Sequence, residues 1–224
     1  MNPPDFAVFL EEMSTAIKAG AKGSSLTVLG PGLFGYRTNE CPEKDSKRCR
    51  LTPRQFLKEI NAAGAKSYYD AVSLHPYVFQ VGRRGEKKRA PGFELNDARL
   101  VREAVRNDLV QIKFDQKPIW VTEIGFPVEN TENAAVIPPV SESFQKFLLR
   151  STFALMANQR QKYNLENVMY YNVQDVNKSP IIWEQHCGLL RANGSSVESV
   201  QSICESLSRP APGGLNGSAS GLHR

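Results

Sequence analysis

Short apolar runs rich in β-branched or aromatic residues alternate along this chain with segments of helical period. Four such runs read as strands: SLTVLG at 25–30, DAVSLH at 70–75, PIWVTE at 118–123 and NVMYYN at 167–172. They recur about every 45 to 50 residues, a spacing that accommodates a crossover helix between parallel neighbours. The helical segments carry their own punctuation. In the first, Phe6, Phe9, Leu10, Met13 and Ile17 form one apolar stripe, expected to pack on a sheet, and Gly20 stops it. The second opens on Thr52-Pro53-Arg54-Gln55, a capping box with proline at the first helical position, and ends at Gly64. A third helix is predicted over about 96–113 and a fourth over about 141–160. A fifth is predicted to open at Ser195-Ser196-Val197-Glu198, with Val197, Val200, Cys204 and Leu207 on one face. From Ser208 the chain turns to Pro, Gly and Ser with almost no apolar anchor. This divides it into a folded unit of 1–207 and a disordered tail of 208–224.

One helix followed by four βα units admits an open doubly wound sheet or part of a closed barrel. The only Gly-rich turn, LGPGLFG at 29–35, lacks G-x-G-x-x-G. The residues after it stay polar for some fifteen positions, so no helix N-terminus is placed to hold a phosphate, and a dinucleotide site is not expected. In a barrel, functional side chains gather at the C-terminal ends of the strands. Those ends here carry His75-Pro76-Tyr77, Glu123 and residues 172–175. The predicted class is therefore α/β, a partial (β/α)8 TIM barrel.

Composition narrows the functions. With 224 residues, 41% hydrophobic and 23% charged, the chain can build one sizeable core. It holds no apolar run of 18 residues, so no membrane-spanning helix is expected, and MNPPDFAVFLEEMSTAIKAG lacks the form of an export signal. The net charge of +5 is concentrated at 44–54 and 83–89, too local for a nucleic-acid stripe, and neither nucleic acid nor membrane is an expected partner. Cysteines at 41, 49, 187 and 204 form no C-x-x-C pair and have no histidines at metal spacing, so no metal or cofactor is expected. Cys41 and Cys49 share one polar loop and suit either a small disulfide, if the protein is exported, or two free thiols.

At a buried strand end an ionised group is seldom present unless it is paired or employed, which singles out Glu123 after Ile119, Trp120, Val121 and Thr122. A purely structural carboxylate is the competing reading, and Trp120 beside it reads as core packing. His75 alone would be an ordinary core histidine. The stiff exit through Pro76 toward Tyr77 instead fixes where both polar side chains point. Tyr171, Asn172, Gln174 and Asp175 add donors and acceptors at the fourth strand end, a set that suits a hydroxyl-rich ligand.

DAVSLHPY, then PIWVTEIGFP, then VMYYNVQD, then GLLRANG before a last helix resembles the C-terminal half of retaining glycoside hydrolases of the clan with a (β/α)8 catalytic barrel, cellulase-like and β-xylosidase-like families among them. The resemblance runs to about Leu207 and implies that the chain holds the last four βα units preceded by one helix. It implies that the W-x-T-E-x-G glutamate, Glu123, is the nucleophile, and that His75 and Tyr77 of H-P-Y line the sugar site. The tryptophan platform usual on the eighth strand is replaced by Asn172-Val173-Gln174, and Trp183 in the following loop is a candidate substitute. The family's acid/base is the glutamate of an Asn-Glu-Pro motif, and no Asn-Glu-Pro occurs in this chain. Three explanations compete: a truncated gene or gene model, a half barrel that associates through its exposed edges with another half or with itself, and a degenerate module that binds carbohydrate without cleaving it. Asp175 or Glu184 is a candidate for the acid role in a paired form. The expected ligand is a carbohydrate, and the basic stretch at 82–89 suits either a solvated loop or attraction to an anionic glycan. An extracellular location is implied for the full-length family.

Overall fold

The computed structural model describes residues 2–22, 25–34, 51–77, 98–128, 140–176 and 186–197, with 98–100 as backbone only. Four strands, β1 (Leu29–Phe34), β2 (Ala71–His75), β3 (Ile119–Val121) and β4 (Leu165–Val168), form one parallel sheet in sequence order. Helix α1 (Pro3–Gly20) precedes β1; α2 (Pro53–Ala62), α3 (Ala98–Ile112) and α4 (Glu142–Asn158) with the one-turn α5 (Arg160–Tyr163) fill the crossovers. Each crossover moves the chain one strand in the same direction, and successive helices α1–α2, α2–α3 and α3–α4 touch one another. Barrel walls are wound in this sequential way, whereas doubly wound sheets reverse their strand order.

Side chains alternate across the strands. Leu33, Val72, Leu74, Ile119 and Val121 are buried and join the helices in the core. The other face carries Gly32, Ser73, His75, Trp120 and Thr122, aligned by the register pairs Gly32↔Ser73, Phe34↔His75 and Ser73↔Trp120.

Three strands lie within a few residues of their expected places, but β1 starts four residues late: LGPGLF, read from sequence as the turn after the strand, is the strand itself. Pro31 lacks an N–H, which an edge strand tolerates, and the β1–β2 register shifts between Leu29 and Gly32, where the proline sits. Residues 25–28 run ahead of the ladder, where Val28 N–H donates to Asp70 Oδ2 at 2.8 Å and Val28 O accepts from Asp70 N–H at 2.7 Å.

Helix α1 is also turned from its expected orientation. It buries Pro3, Ala7, Leu10 and Ser14, while Phe9, Met13 and Ile17 of the predicted stripe are 40–44% exposed. Polar anchors account for the rotation: Tyr68 Oη donates to Glu11 at 2.6 Å and Lys18 Nζ reaches Asp70 at 3.2 Å. Small side chains at Ala7 and Ser14 let the helix lie close against its neighbours. Helix α2 follows its signals. Thr52 and Gln55 form the reciprocal capping box, Leu57 and Ile60 are fully buried, and Gly64 takes the left-handed φ of 92° past the end. Each of those two buried side chains stabilises the fold by about 1.5–3 kcal/mol.

The helix expected from Ser195 does not begin there. Arg191 N–H donates to Ser195 O at 2.8 Å and Leu190 pairs antiparallel with Ser196, so 190–196 is a tight turn. Asn193 Oδ1 accepts from both the Ser195 N–H (2.9 Å) and its hydroxyl (2.7 Å), which commits the serine to an Asx turn rather than to a cap. The remainder of that predicted helix, the 208–224 tail, Cys41, Cys49, Cys204 and the basic stretch at 82–89 lie outside the described residues.

Candidate functional site

Strands β2 and β3 are paired through Leu74↔Val121, and Thr122 N–H donates to Leu74 O at 3.1 Å, so the two chains leave the sheet side by side. Beyond His75 the chain folds back around Pro76, with Tyr77 N–H donating to His75 O at 2.8 Å. That turn brings the tyrosine hydroxyl over the neighbouring strand end, where it donates to Glu123 Oε2 at 3.3 Å. His75 Nδ1 faces the same carboxylate oxygen at 3.5 Å, an ion-contact distance outside hydrogen-bond alignment. On the far side of the ring, Nε2 lies 2.8 Å from Thr122 Oγ1, which is 2.6 Å from Ser73 Oγ. The five side chains make one polar row from Ser73 to Tyr77.

Aromatic and glycine neighbours hold the row in place. Phe34 meets the His75 ring edge-on at 4.8 Å and stacks near Tyr77 at 6.2 Å. A Cβ at Gly32 would lie 3.1 Å from His75 Cε1 and 3.3 Å from Nε2, so the bare backbone leaves room for the ring. At Gly125 a Cβ would lie 2.0 Å from Tyr171 O, so only glycine lets the exits of β3 and β4 approach this closely. Burial pushes His75 below its ordinary value of 6.5, against the opposing pull of the Glu123 charge. Burial first, and then the Glu123 charge, push the Tyr77 hydroxyl well above the phenolic range, so it stays a donor.

A second tyrosine–carboxylate bond sits at the opposite end of the same two strands. Tyr69 Oη donates to Asp115 Oδ2 at 2.9 Å, and each of these residues lies eight positions before its counterpart in Tyr77 and Glu123. The two carboxylates differ in what surrounds them. Asp115, with 1% of its side chain exposed, also accepts from Asn61 Nδ2 at 2.6 Å and faces Lys66 Nζ at 3.6 Å. Lys117 closes that end by donating to Tyr69 O while lying 4.4 Å over its ring. Glu123 keeps 34% of its side chain open to solvent.

The structure thus brings together Glu123, His75 and Tyr77. Asn172 and Gln174 belong to a neighbouring polar segment instead. The Gln174 side-chain amide donates to the carbonyls of Arg191 (3.4 Å) and Ala192 (3.1 Å), while Asn172 O accepts from Leu189 N–H at 3.3 Å and its Oδ1 is buried without a hydrogen-bond partner. Asp175 is a latch: its carboxylate accepts from Gly188 N–H at 2.7 Å and from Arg191 Nη1 at 3.5 Å, and Arg191 also pairs with Glu142. Trp120 is half-buried, its indole N–H donating to Glu166 at 3.0 Å. Trp183 and Glu184 lie outside the described residues. Ser73, Thr122, Gly32 and Phe34 were not singled out by the sequence, although the period-2 spacing of Ser73 with His75 already puts both on one face. Among the described residues no three His, Cys, Asp or Glu side chains come together as a metal site, and no helix is long and apolar enough to cross a membrane.

The described residues thus form a mixed α/β unit whose sequentially wound parallel sheet carries a polar cluster at its strand ends. No protein-family model matches the chain, and no curated protein does. Among solved structures it is similar to the β-glucuronidase of Faecalibacterium prausnitzii, at 15% identity and a TM-score of 0.42 over 63% of this chain and 22% of that one. It is likewise similar to a Bifidobacterium dentium β-glucuronidase complexed with coumarin-3-O-glucuronide (18% identity, TM-score 0.43, 63% of this chain and 21% of that one). A third is the β-D-glucuronidase of Dictyoglomus thermophilum (13%, 0.45, 70% and 28%). The chain spans less than a third of the length of each of these enzymes. Similarity at this level bears on neither activity nor substrate.

Proposed function

We propose that the chain is the C-terminal half of a (β/α)8-barrel glycosidase of retaining type, with Glu123 as its nucleophile and a carbohydrate as its ligand. The observation that carries this reading is the state of Glu123: a carboxylate at a strand end, held by Tyr77, faced by His75 and still one-third open. Its counterpart Asp115 is closed in by three partners, as a structural carboxylate should be. Strand-end placement, sequential winding and the W-x-T-E-x-G and H-P-Y motifs support the same reading. Retaining chemistry needs a second carboxyl about 5–5.5 Å from the first to protonate the leaving oxygen and later activate water. The chain holds no Asn-Glu-Pro motif and Asp175 is occupied by its latch, which leaves Glu184 or a carboxyl supplied by an associated half barrel for that role, and the 224 residues alone are expected to hydrolyse aryl glycosides little.

The nucleophilic half-reaction is testable without the acid. In an activated 2-fluoro-glycoside, attack by a Glu123 oxygen on the anomeric carbon expels an aryl oxide that departs with its bonding electron pair and needs no proton donor. A stoichiometric glycosyl adduct mapped to Glu123 by peptide mass spectrometry, absent in Glu123→Gln, is the expected result. Absence of label on Glu123 across a panel of such glycosides sinks the assignment. The exposed stripe Phe9, Met13 and Ile17 favours a second reading, a half-barrel module that acts through association. Substrate charge rests on the sequence alone: the basic stretch at 82–89 suits an anionic sugar.

A further inference from the structure

The hydroxyls of Ser73 and Thr122 are not used by the proposed glycosyl transfer, yet they form two short contacts in series ending on His75 Nε2. Among the described residues the ring has around it Ser73 of its own strand and Tyr77 of that strand's exit, Thr122 and Glu123 of the β3 exit, and Gly32 and Phe34 of β1. Glu123 is the charged group among them. One proton placement suits both the two hydroxyls and the charge beside Nδ1, which makes no aligned hydrogen bond. Nδ1 faces a carboxylate oxygen at 3.5 Å and is assigned the ring proton, since a lone pair there would be set against the negative charge of Glu123. Nε2 is then the acceptor, the single Thr122 hydroxyl proton points to it, and Ser73 donates to the Thr122 oxygen. The reverse placement uses both hydroxyls equally well but turns an unprotonated Nδ1 toward Glu123.

We propose that Ser73 and Thr122 form a hydroxyl relay that caps His75 Nε2, holding the imidazole neutral with its proton on Nδ1, the nitrogen beside Glu123. They are positioning residues, acting on the carboxylate through His75. A donor fixed on Nε2 stabilises the neutral ring relative to imidazolium, which must donate from both nitrogens. Glu123 thereby keeps a neutral donor beside it rather than a full positive charge that would blunt its attack. The consequence for catalysis rests on the proposed role of Glu123, but the proton placement does not.

The test is nitrogen-15 NMR of the resting 224-residue chain, with the His75 signals assigned by their loss in His75→Gln among the three histidines of the sequence. The wild type is expected to show the Nδ1–H tautomer at neutral pH. Thr122→Val, which keeps shape and removes the donor, should raise the His75 titration midpoint by about one pH unit, while Thr122→Ser leaves it in place. Ser73→Ala should move it in the same direction by less. An Nε2–H tautomer in the wild type, or a midpoint unmoved or lowered in Thr122→Val, overturns the proposal. Should the valine variant fail to fold, the wild-type tautomer and Ser73→Ala still decide. None of these readouts requires turnover, so a failure of glycosyl labelling and a failure of the relay are separate results.

Discussion

At Glu123 the surroundings set the chemistry more than the residue itself. Tyr77 donates to the carboxylate, His75 faces it, and the rest of the group stays wet. Because burial lowers the His75 pKa in the folded chain, the unfolded chain binds a proton at higher pH than the folded one. Stability contributed by the buried neutral ring is therefore fully present above 6.5 and is lost as pH falls through the window between 6.5 and the lowered folded value. Denaturant midpoints of the wild type should thus decline through that window more steeply than those of His75→Gln, whose side chain does not titrate. Equal slopes in the two proteins would show that the ring is as solvated when folded as when unfolded.

Among the elements, the helices at Thr52 and Ser141 announce themselves, while β1 does not and the capping pattern at Ser195 opens no helix there. The capping box at Thr52 and the cap at Ser141 start helices where the sequence places them, because a side chain satisfying an N–H three residues on is a local event. β1 was hidden because its glycines and proline resemble a turn. Their purpose is contact with residues far along the chain: Gly30 against the Tyr69 ring and Gly32 against His75. The facing of α1 was hidden for the same reason, being set by Tyr68 and Asp70 more than fifty residues away. Candidate chemistry at Glu123, His75 and Tyr77 was legible because three motif residues fall at strand ends. The Ser73–Thr122 relay was not, since neither hydroxyl is unusual until the strand register pairs them. Gly125 offers the sharpest test at this scale. Gly125→Ala sets a methyl 2.0 Å from Tyr171 O and should cost about 3 kcal/mol by denaturant unfolding, as overpacking does at its upper end. A loss below about 1 kcal/mol would mean that the exits of β3 and β4 separate easily.

For the molecule as a whole, the sheet is well covered on its helical side, while β1 and β4 each have one strand neighbour among the described residues. The exposed stripe on α1, with the strand edges of β1 and β4 that are open among the described residues, is where the proposed association would take place. Sedimentation should show mass rising with concentration, and the double substitution Phe9→Lys with Met13→Lys should return the protein toward a monomer. A wild type that stays monomeric at high concentration would remove association as an explanation for the stripe.

The paired tyrosines at the two ends of β2 give this protein its own calibration standard. Tyr69→Phe and Tyr77→Phe each delete a hydroxyl bonded to a carboxylate, the Tyr69 one also lying 2.8 Å from Asn61 Oδ1, so what the loss of such a bond does generically is common to both. Tyr69→Phe should lower stability by about 1–3 kcal/mol, whereas Tyr77→Phe should leave the unfolding midpoint nearly in place and slow glycosyl labelling of Glu123 by about tenfold. A reversed pattern would exchange the working and the supporting ends of the sheet. A matched pattern lets every later substitution near Glu123 be read against a partner that shares its chemistry and lacks its exposure.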